Sequence, residues 1–340
     1  MKHLWFERGA YASKKARNYI QDDFQPQKIK KIAVIRHAAL GDQVVVRPFL
    51  VEARKFFPNA EITLVPVSNY MYGIPSDLVD HVHVMPGKEP GKTTPVKEKV
   101  RNIKQLGEQD IIFDLASTNR SHWMTALSKA KLKIGFPYKW YFCGTLFNVA
   151  VHRSDFQPEV ECMLDMLKLL GHNPSHPLDF AYPDHRELVD TEAPYVLYFN
   201  GASQLRKILS KEQMFAVLEK AVQENPNHTH VYLEGKNDFE KGDFCQSLLK
   251  YPNFKIQPCL PLEELVDLTA KATLMVAPDT GVRNIAISTH TPTVGIFYAT
   301  VPFRYTPLYE HHDIVMNADG SIPTTGQITD AISRALSSRQ

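Results

Sequence analysis

The stretch MVAPDTGVRNIAISTHTPTVGIF, residues 275–297, decides the fold class of this chain. Residues 274–277 are apolar and are typical of a buried strand, which the turn at 278–281 ends. Residues 282–288 suit a short helix, and residues 293–297 form a second apolar strand. This order of strand, tight turn, helix and strand predicts a parallel sheet of the α/β class.

The turn at 278–281 is also a candidate anion site. In open α/β sheets, ligands bind outside the carboxyl ends of the strands, where this turn falls. The backbone amides of Thr280, Gly281 and the first helical turn would point at a phosphate, with the positive end of the helix behind them. Gly281 carries no side chain that would block close approach. The alternative is that Asp279 or Thr280 only caps the helix.

Length and composition limit the possible classes of protein. A chain of 340 residues, 44% hydrophobic and 22% charged, suits a globular protein of two domains. The net charge of +2 favours no nucleic-acid partner, because such a partner would need stronger basic clustering. The sequence has no apolar run of membrane-spanning length and no apolar signal segment at its start, so a cytoplasmic location is expected. Buried thiols, rather than disulfides or a zinc site, are predicted for the widely separated Cys143, Cys162, Cys245 and Cys259.

Strands that alternate with helices along the chain predict two Rossmann-like domains facing each other across a cleft. We expect a basic leader at 1–28, an N-terminal domain at 29–188 and a C-terminal domain at 189–340. The charged, proline-containing segment 87–99 is expected to be an exposed, mobile loop. The predicted strands are 31–35, 61–65, 81–85, 109–114, 195–199, 230–234, 254–257, 274–277 and 293–297, and the predicted helices are 43–56, 159–170, 211–224, 240–250, 262–271 and 282–288.

The leader at 1–28 combines basic residues, among them Lys14 and Arg17, with aromatic ones such as Tyr11. We favour a solvated or packed helix that precedes the first strand. The alternative is a surface segment that rests on anionic lipid headgroups or on a partner.

Asp42 is the first candidate for chemistry. It ends the loop after the first predicted strand and opens a helix, so its carboxylate can act as a general base on an incoming hydroxyl. The alternative is an N-cap of the helix at 43–56. Because this loop lacks a G-x-G-x-x-G pattern, the sequence argues against a dehydrogenase.

The polar loop NGASQLRK, residues 200–207, is the second candidate site. Its small residues, including Ser203, allow close backbone approach, and Arg206 and Lys207 could neutralise a diphosphate. The alternative is a solvated basic loop. This loop and the turn at 279–281 both follow strands of the same predicted half, which favours one shared anion site.

Other polar residues at strand ends are weaker candidates. Glu234 could accept hydrogen bonds from sugar hydroxyls or could lie in a surface turn. Arg120 and Arg36 could bind an anionic acceptor, although Arg120 could equally be a surface arginine. No metal site is expected, because the sequence contains no D-x-D pair and its histidines lack ligand spacing.

Several of these segments together resemble one known family. The segments are LGDQVVVRPFL at 40–50, FPNAEITLV at 57–65, GAS at 201–203 with Lys207, and DTG at 279–281 leading into TPTVGIF at 291–297. In this order and spacing they resemble glycosyltransferase family 9, the ADP-heptose lipopolysaccharide heptosyltransferases. The resemblance extends over about residues 30–310.

The resemblance implies a GT-B fold that binds the acceptor mainly on the first domain and the nucleotide sugar mainly on the second. It implies inverting, metal-independent transfer of heptose from ADP-heptose to a Kdo or heptose of the lipopolysaccharide inner core. It further implies an enzyme with no cofactor beyond its ADP-sugar substrate, with possible peripheral contact with the cytoplasmic face of the inner membrane. By motif match, Asp42 takes the place of the catalytic base, Lys207 that of the diphosphate contact, and Thr280 and Gly281 that of the phosphate-binding turn.

The chain departs from the family pattern at three places, one of which is the leader at 1–28 that precedes the usual start. Asn284 stands where family members usually carry histidine, with Arg283 beside it, and Ile208 and Leu209 replace a usual tryptophan. Asp279, Arg283, Asn284 and Glu234 are therefore the positions expected to set nucleotide and sugar recognition. Three alternatives stay open: another nucleotide-sugar donor, a protein acceptor, or a nucleotide-sugar-binding protein without turnover.

Overall fold

A computed structural model of the chain describes residues 11–88, 91, 94–136, 146–154 and 156–337. The chain divides into two compact units between Ala181 and Tyr182. Cys143 lies outside the described residues, whereas Cys162 and Cys245 are buried free thiols and Cys259 is partly exposed.

The first unit is built on one sheet. Its strands in chain order are β1 Tyr11–Ala12, β2 Lys31–Ile35, β3 Glu61–Val65, β4 His81–Val82, β5 Gln109–Asp114, β6 Ala130–Gly135 and β7 Val149–Ala150. In the described part of the chain they pair in the order β1-β7-β6-β5-β2-β3-β4, and only the edge pair of β1 and β7 is antiparallel. The central strand β2 is apolar and buried from Ile32 to Ile35, as expected for a parallel strand covered on both faces.

Helices cover both faces of this sheet. They are α1 Lys14–Asn18, α2 Leu40–Val45, α3 Arg47–Phe56, α4 Val96–Gln105, α5 Asn119–Leu127 and α6 Glu159–Lys168. The chain moves from β2 to β3 in one direction and from β4 through β5 to β6 in the other. Right-handed crossovers therefore place α3 on one face of the sheet and α4 and α5 on the opposite face.

The region predicted as one helix at 43–56 consists of two helices that meet at Val46. Pro48 stands in the first turn of α3 and has no amide hydrogen for the helical ladder, so the chain restarts its helix there. The segment 87–99, predicted to be a loop, includes the start of α4, and its residues 89, 90, 92 and 93 lie outside the described part.

The described part of the leader packs on the first unit. Ser13 caps α1 through its side chain, and Ala16 is 3% exposed. The ring of Phe24 packs against the rings of Phe56 and Phe57 at centroid distances of 6.3 Å. Residues 11–28 therefore pack on the first unit through strand β1 as well as helix α1, and residues 1–10 lie outside the described part.

The second unit holds another parallel sheet. Its strands are β8 Tyr195–Tyr198, β9 Thr229–Leu233, β10 Phe254–Gln257, β11 Leu274–Pro278, β12 Thr293–Ile296 and β13 His312–Val315, and its helices are α7 His185–Leu188, α8 Lys211–Glu224, α9 Leu262–Lys271, α10 Gly281–Ser288 and α11 Thr325–Ser337. The strands pair in the order β10-β9-β8-β11-β12-β13. Short 3₁₀ helices also occur, at Leu205–Lys207, Asp238–Glu240 and Gly242–Lys250, the last in place of the predicted helix 240–250.

Each sheet has a point where the strand order reverses. In the first unit β2 lies between β3 and β5, and in the second unit β8 lies between β9 and β11. Ligands of open α/β sheets bind beside such switch points, outside the carboxyl ends of the strands. The loops after β2 and β5, and those after β8 and β11, are therefore where function is expected in each unit.

Gly295 in β12 is a position where we expect a large loss of stability on substitution. A Cβ atom at this position would lie 2.6 Å from Nε of Arg283 and 2.7 Å from the ring of Phe297. Arg283 is fully buried and cannot swing into solvent. We expect Gly295→Ala to lower the free energy of unfolding by about 1–3 kcal/mol, measured by urea denaturation.

The control for this prediction is Gly326→Ala in α11, where the nearest atoms to an added Cβ are 3.9 Å away. This variant should be neutral or slightly more stable, because alanine favours helix more than glycine does. Equal urea midpoints for Gly295→Ala and the unsubstituted chain would show that the contact is not tight.

Candidate functional site

Two loops of the second unit meet through an ion pair. Lys207 ends the loop after β8, and Asp279 follows β11 directly. Nζ of Lys207 donates to Oδ2 of Asp279 at 2.6 Å, and the two side chains are 16% and 8% exposed. The structure thus brings together two motifs that lie 72 residues apart in sequence, at the switch point of this sheet.

The same corner contains the N-terminus of α10. Thr280 is the N-cap residue in extended conformation, with φ −147° and ψ 160°, and its side chain makes no capping hydrogen bond. The simple alternative of a side-chain cap by Thr280 is therefore wrong. Asp279, the other candidate cap, is engaged by Lys207. The first amides of α10, from Gly281 onward, lie at the positive end of the helix, where an anion is favoured.

The remaining candidates in the second unit differ in accessibility. Ser203 is exposed in the loop after β8. Glu234 is held within its own loop, because Oε1 accepts a hydrogen bond from the amide of Gly242 at 2.8 Å. Asn284 is 6% exposed, one turn into α10.

Arg283 does not reach the surface of the second unit. Its side chain is fully buried, and its guanidinium lies over the ring of Phe297, 5.1 Å from the centroid. Nη1 donates to the carbonyl of Tyr305 at 3.1 Å and Nη2 to Oγ1 of Thr306 at 3.0 Å. Burial lowers the pKa of Arg283 to about 10, against the opposing charge of Asp279. We therefore assign Arg283 a role in holding the 305–306 loop against α10, in place of direct contact with a donor.

In the first unit, Asp42 lies in the first turn of α2 and is paired with Arg36. Nη2 of Arg36 donates to Oδ1 of Asp42 at 3.0 Å, and Nε donates to the Asp42 carbonyl at 3.2 Å. The Asp42 side chain is 35% exposed, so a substrate can approach it. The N-cap of this helix is Ala39, so the interpretation of Asp42 as the cap is wrong.

Arg36 itself is 3% exposed and is used inside the unit. Its Nη1 donates to the carbonyl of Leu115 at 2.7 Å and lies 3.5 Å from Oε1 of Glu159. These contacts join the loop after β2 to the loop after β5. We therefore interpret Arg36 as a positioning residue for Asp42 rather than as an acceptor contact.

A cavity of about 430 Å³ opens near these loops. Arg120, at the start of α5, lies in its wall, together with residues that the sequence analysis had not singled out. His37 follows β2, Asn69 and Tyr70 follow β3, and Lys88 follows β4. The signal that could have identified His37 is its position in the loop just after β2, but this residue belongs to no recognisable motif. The other lining residues are Val67, Thr118 and Asn119.

His37 and Asp114 give this region unusual electrostatics. Burial and the charge of Arg120 lower the pKa of His37 to about 3, so its imidazole is neutral near pH 7. Both of its ring nitrogens are buried and lack a hydrogen-bond partner. Asp114 is fully buried and accepts hydrogen bonds from the amides of Ala116 and Ser117, and burial raises its pKa to about 6. These bonds fix the loop that leads to Arg120.

Two further findings concern the described residues. No group of three or more His, Cys, Asp or Glu side chains with an arrangement suited to a metal ion occurs within them. Across the same residues, no helix combines the length and the apolar character needed to cross a membrane.

Comparison with known proteins identifies relatives of this chain. The model of the family described as glycosyltransferase family 9 (heptosyltransferase) matches residues 100–330. The lipopolysaccharide core heptosyltransferase OpsX of Haemophilus influenzae is 23% identical over 303 residues, which cover 85% of this chain and 84% of that protein. The lipopolysaccharide heptosyltransferase 1 of Campylobacter coli is 22% identical over 308 residues, which cover 81% of this chain and 85% of that protein.

Solved structures give the same result for the fold. The heptosyltransferase WaaC of E. coli, solved with ADP-2-deoxy-2-fluoro heptose, superposes with a TM-score of 0.69 at 16% sequence identity. The match covers 91% of this chain and 100% of that chain. The predicted GT-B fold class is confirmed by this likeness together with the two parallel-rich sheets.

Proposed function

Because the chain belongs to glycosyltransferase family 9, we propose that it transfers a heptose from ADP-heptose to the inner core of lipopolysaccharide, with inversion and without a metal ion. The acceptor would be a Kdo or heptose residue, reached at the cytoplasmic face of the inner membrane. The resemblance seen in the sequence motifs is confirmed by the family match, and the chain is a glycosyltransferase.

The Lys207–Asp279 pair at the start of α10 is the observation that carries this proposal. It places a cation beside a helix N-terminus, and both favour an anion such as the diphosphate of a nucleotide sugar. Ser203, Thr280 and Gly281 would complete the phosphate contacts, with Glu234 and Asn284 nearer the nucleoside or the sugar. The helix N-terminus and the Lys207 ammonium, whose charge is shared with Asp279, together support donor binding in this corner of the second unit.

The chemical step needs a base on the side of the acceptor. In our proposal, Asp42 takes the proton of the acceptor hydroxyl while the hydroxyl oxygen attacks the anomeric carbon of the heptose. The bond from that carbon to the phosphate oxygen breaks, and its electron pair leaves with ADP. Arg36 would hold the Asp42 carboxylate in place, and Lys207 with the amides of α10 would stabilise the charge on the departing diphosphate.

The cavity of the first unit supports binding of a sugar acceptor. Its volume of about 430 Å³ lies in the usual range of small-molecule sites. Lys88 and Arg120 would attract an acidic group of the acceptor, while the neutral His37 would lie against the sugar ring. Its lining thus combines charge with neutral polar and apolar surface, as a phosphorylated or carboxylated sugar requires.

The test is release of ADP from ADP-heptose in the presence of truncated lipopolysaccharide core acceptors, with the product linkage determined by NMR. We expect acceptor-dependent turnover, a β/α inversion at the anomeric carbon, and no loss of rate in EDTA. Faster turnover with another nucleotide sugar, or with a protein acceptor, would overturn the proposed substrates. Tight ADP binding in calorimetry without transfer to any acceptor would instead indicate a nucleotide-sugar-binding protein.

A further inference from the structure

The outer side of α4 and α5 in the first unit is exposed and carries both apolar and basic side chains. The two helices pack against each other and cover one face of the sheet through Ile103, Leu106 and Met124. Their exposed residues include large apolar groups that the core does not use: Val96 is 74% exposed, Trp123 60% and Leu127 53%. We call this surface the α4–α5 face; its members are Val96, Lys97, Lys99, Arg101, Lys104, Trp123, Leu127 and Lys129.

Trp123 and Leu127 lie on the same side of α5, because residues four apart are neighbours on a helix. Trp123 and Leu127 thus form an exposed apolar pair on a helix whose opposite side is buried. Tryptophan has an apolar ring system with one polar N–H group, a combination that suits the boundary between water and lipid.

The basic residues of the α4–α5 face have no ion-pair partners within the described ranges. Two exposed lysines elsewhere in the same unit do have acidic partners: Lys131 lies 3.0 Å from Asp110, and Lys168 lies 3.1 Å from Asp165. On the α4–α5 face, basic side chains outnumber the acidic Glu98 and Glu108. Uncompensated positive charge around exposed apolar groups is complementary to an anionic lipid surface.

We propose that the α4–α5 face docks the first unit on a bilayer with anionic headgroups, where Trp123 and Leu127 enter the interface and the basic residues of α4 contact the headgroups. Protein interfaces are depleted in lysine, whereas this face is rich in it. The inference extends the proposed function, because a lipid-linked acceptor lies in such a surface. Binding to vesicles tests this inference without any need for the protein to catalyse sugar transfer.

The experiment is sedimentation of the full chain with vesicles of phosphatidylcholine, with or without phosphatidylglycerol, at low and high salt. We expect binding to the anionic vesicles only, weakened by salt. A variant with Lys97→Gln, Lys99→Gln, Arg101→Gln and Lys104→Gln should partition onto the anionic vesicles at least about 100-fold more weakly. This estimate assumes that each basic residue contributes roughly fivefold to the partition coefficient. A variant with Trp123→Ser and Leu127→Ser should bind more weakly even at low salt.

The matched control alters an apolar and basic surface of the second unit: Leu249→Ser with Lys220→Gln and Lys250→Gln. It should bind vesicles as the unsubstituted chain does. Quenching of tryptophan fluorescence by brominated lipid should fall in Trp123→Phe, whose remaining signal comes from Trp5 and Trp140. Equal vesicle binding by the face variants and the control would overturn the proposal, as would binding to an oligonucleotide or a protein but not to vesicles.

The result of the vesicle experiment can be distinguished from the result of the ADP-release assay that tests the proposed function. The face variants should release ADP at the normal rate with a short, water-soluble acceptor, because none of their residues lies in the proposed site. If no acceptor supports turnover, the proposed function fails while the vesicle result stands.

Discussion

Asp42→Asn should lower the rate of acceptor-dependent ADP release by about 10²–10⁴-fold, the usual contribution of a general base. The amide has the same shape as the carboxylate and can still accept the hydrogen bond that Arg36 donates to Oδ1 at 3.0 Å. It cannot take a proton from the acceptor hydroxyl, so the loss should appear in kcat rather than in the affinity for the donor. The measurement is single-turnover kinetics at saturating donor and acceptor.

Asp80→Asn is the matched control for this variant. Asp80 is also paired with an arginine, Arg54 at 2.6 Å, and is 38% exposed, close to the 35% of Asp42. It lies just before β4, away from the loops at the switch point. If Asp42→Asn retains full turnover with an unchanged melting temperature, or if Asp80→Asn loses as much activity, Asp42 is not the base.

Lys207→Gln should weaken binding of ADP by about 10-fold, the lower end of the roughly 1.5–3 kcal/mol of a charge-assisted hydrogen bond, because the ammonium is already paired with Asp279. The loss follows from removing the cation beside the diphosphate, and calorimetry with ADP measures it without any acceptor. Lys207→Arg keeps the charge and should retain part of the affinity. Raising the salt concentration should reduce the difference between Lys207→Gln and the unsubstituted chain.

The control for the loss of one positive charge is Lys211→Gln, in the same unit. Lys211 is 41% exposed and pairs with Asp243 at 3.2 Å. Its removal should leave ADP binding within about twofold, since exposed pairs contribute little. Unchanged ADP affinity in Lys207→Gln would show that the Lys207–Asp279 pair serves the fold alone, and its melting temperature would then report the cost of an unpaired buried carboxylate.

The sequence predicted most strands of the two sheets, among them the central strands that are buried on both faces. Strands β2, β3, β5 and β10 have the predicted bounds, and β8, β9, β11 and β12 differ only at their ends. Long apolar runs that end in polar or glycine-containing turns are unambiguous because parallel strands need apolar residues on both sides. Helices α8 and α9 were equally clear from their periodic apolar faces.

Some elements that are apolar on one side only were missed. Strand β6 alternates Lys131 and Lys133 with buried Leu132 and Ile134. Because half of its residues are polar, the segment does not stand out as an apolar run in the sequence. Helix α4 is dominated by charge, with Ile103 alone buried within it, so its first residues were assigned to the loop 87–99 and the rest to no element. Such elements depend on the rest of the fold for their burial, which local sequence does not reveal.

The residues of the candidate site were also only partly predictable from sequence. Lys207 and Asp279 were predicted separately, and strand order explains why they meet, since β8 and β11 are neighbours. The burial of Arg36 and Arg283 could not be predicted, because an arginine near a strand end looks the same whether it faces a ligand or the interior. His37 lacked any motif, and its role depends on a cavity that several distant loops form.

The pairing of Lys207 with Asp279 has a consequence for product release. Because the ammonium already has a carboxylate partner at 2.6 Å, a bound diphosphate must compete with that partner for it. The affinity for nucleotide is then the difference between two strong contacts rather than the full strength of one. At the proposed donor site, an internal competitor of this kind would let the turn hold a charged leaving group during reaction and release it afterwards, so that product release would not limit turnover.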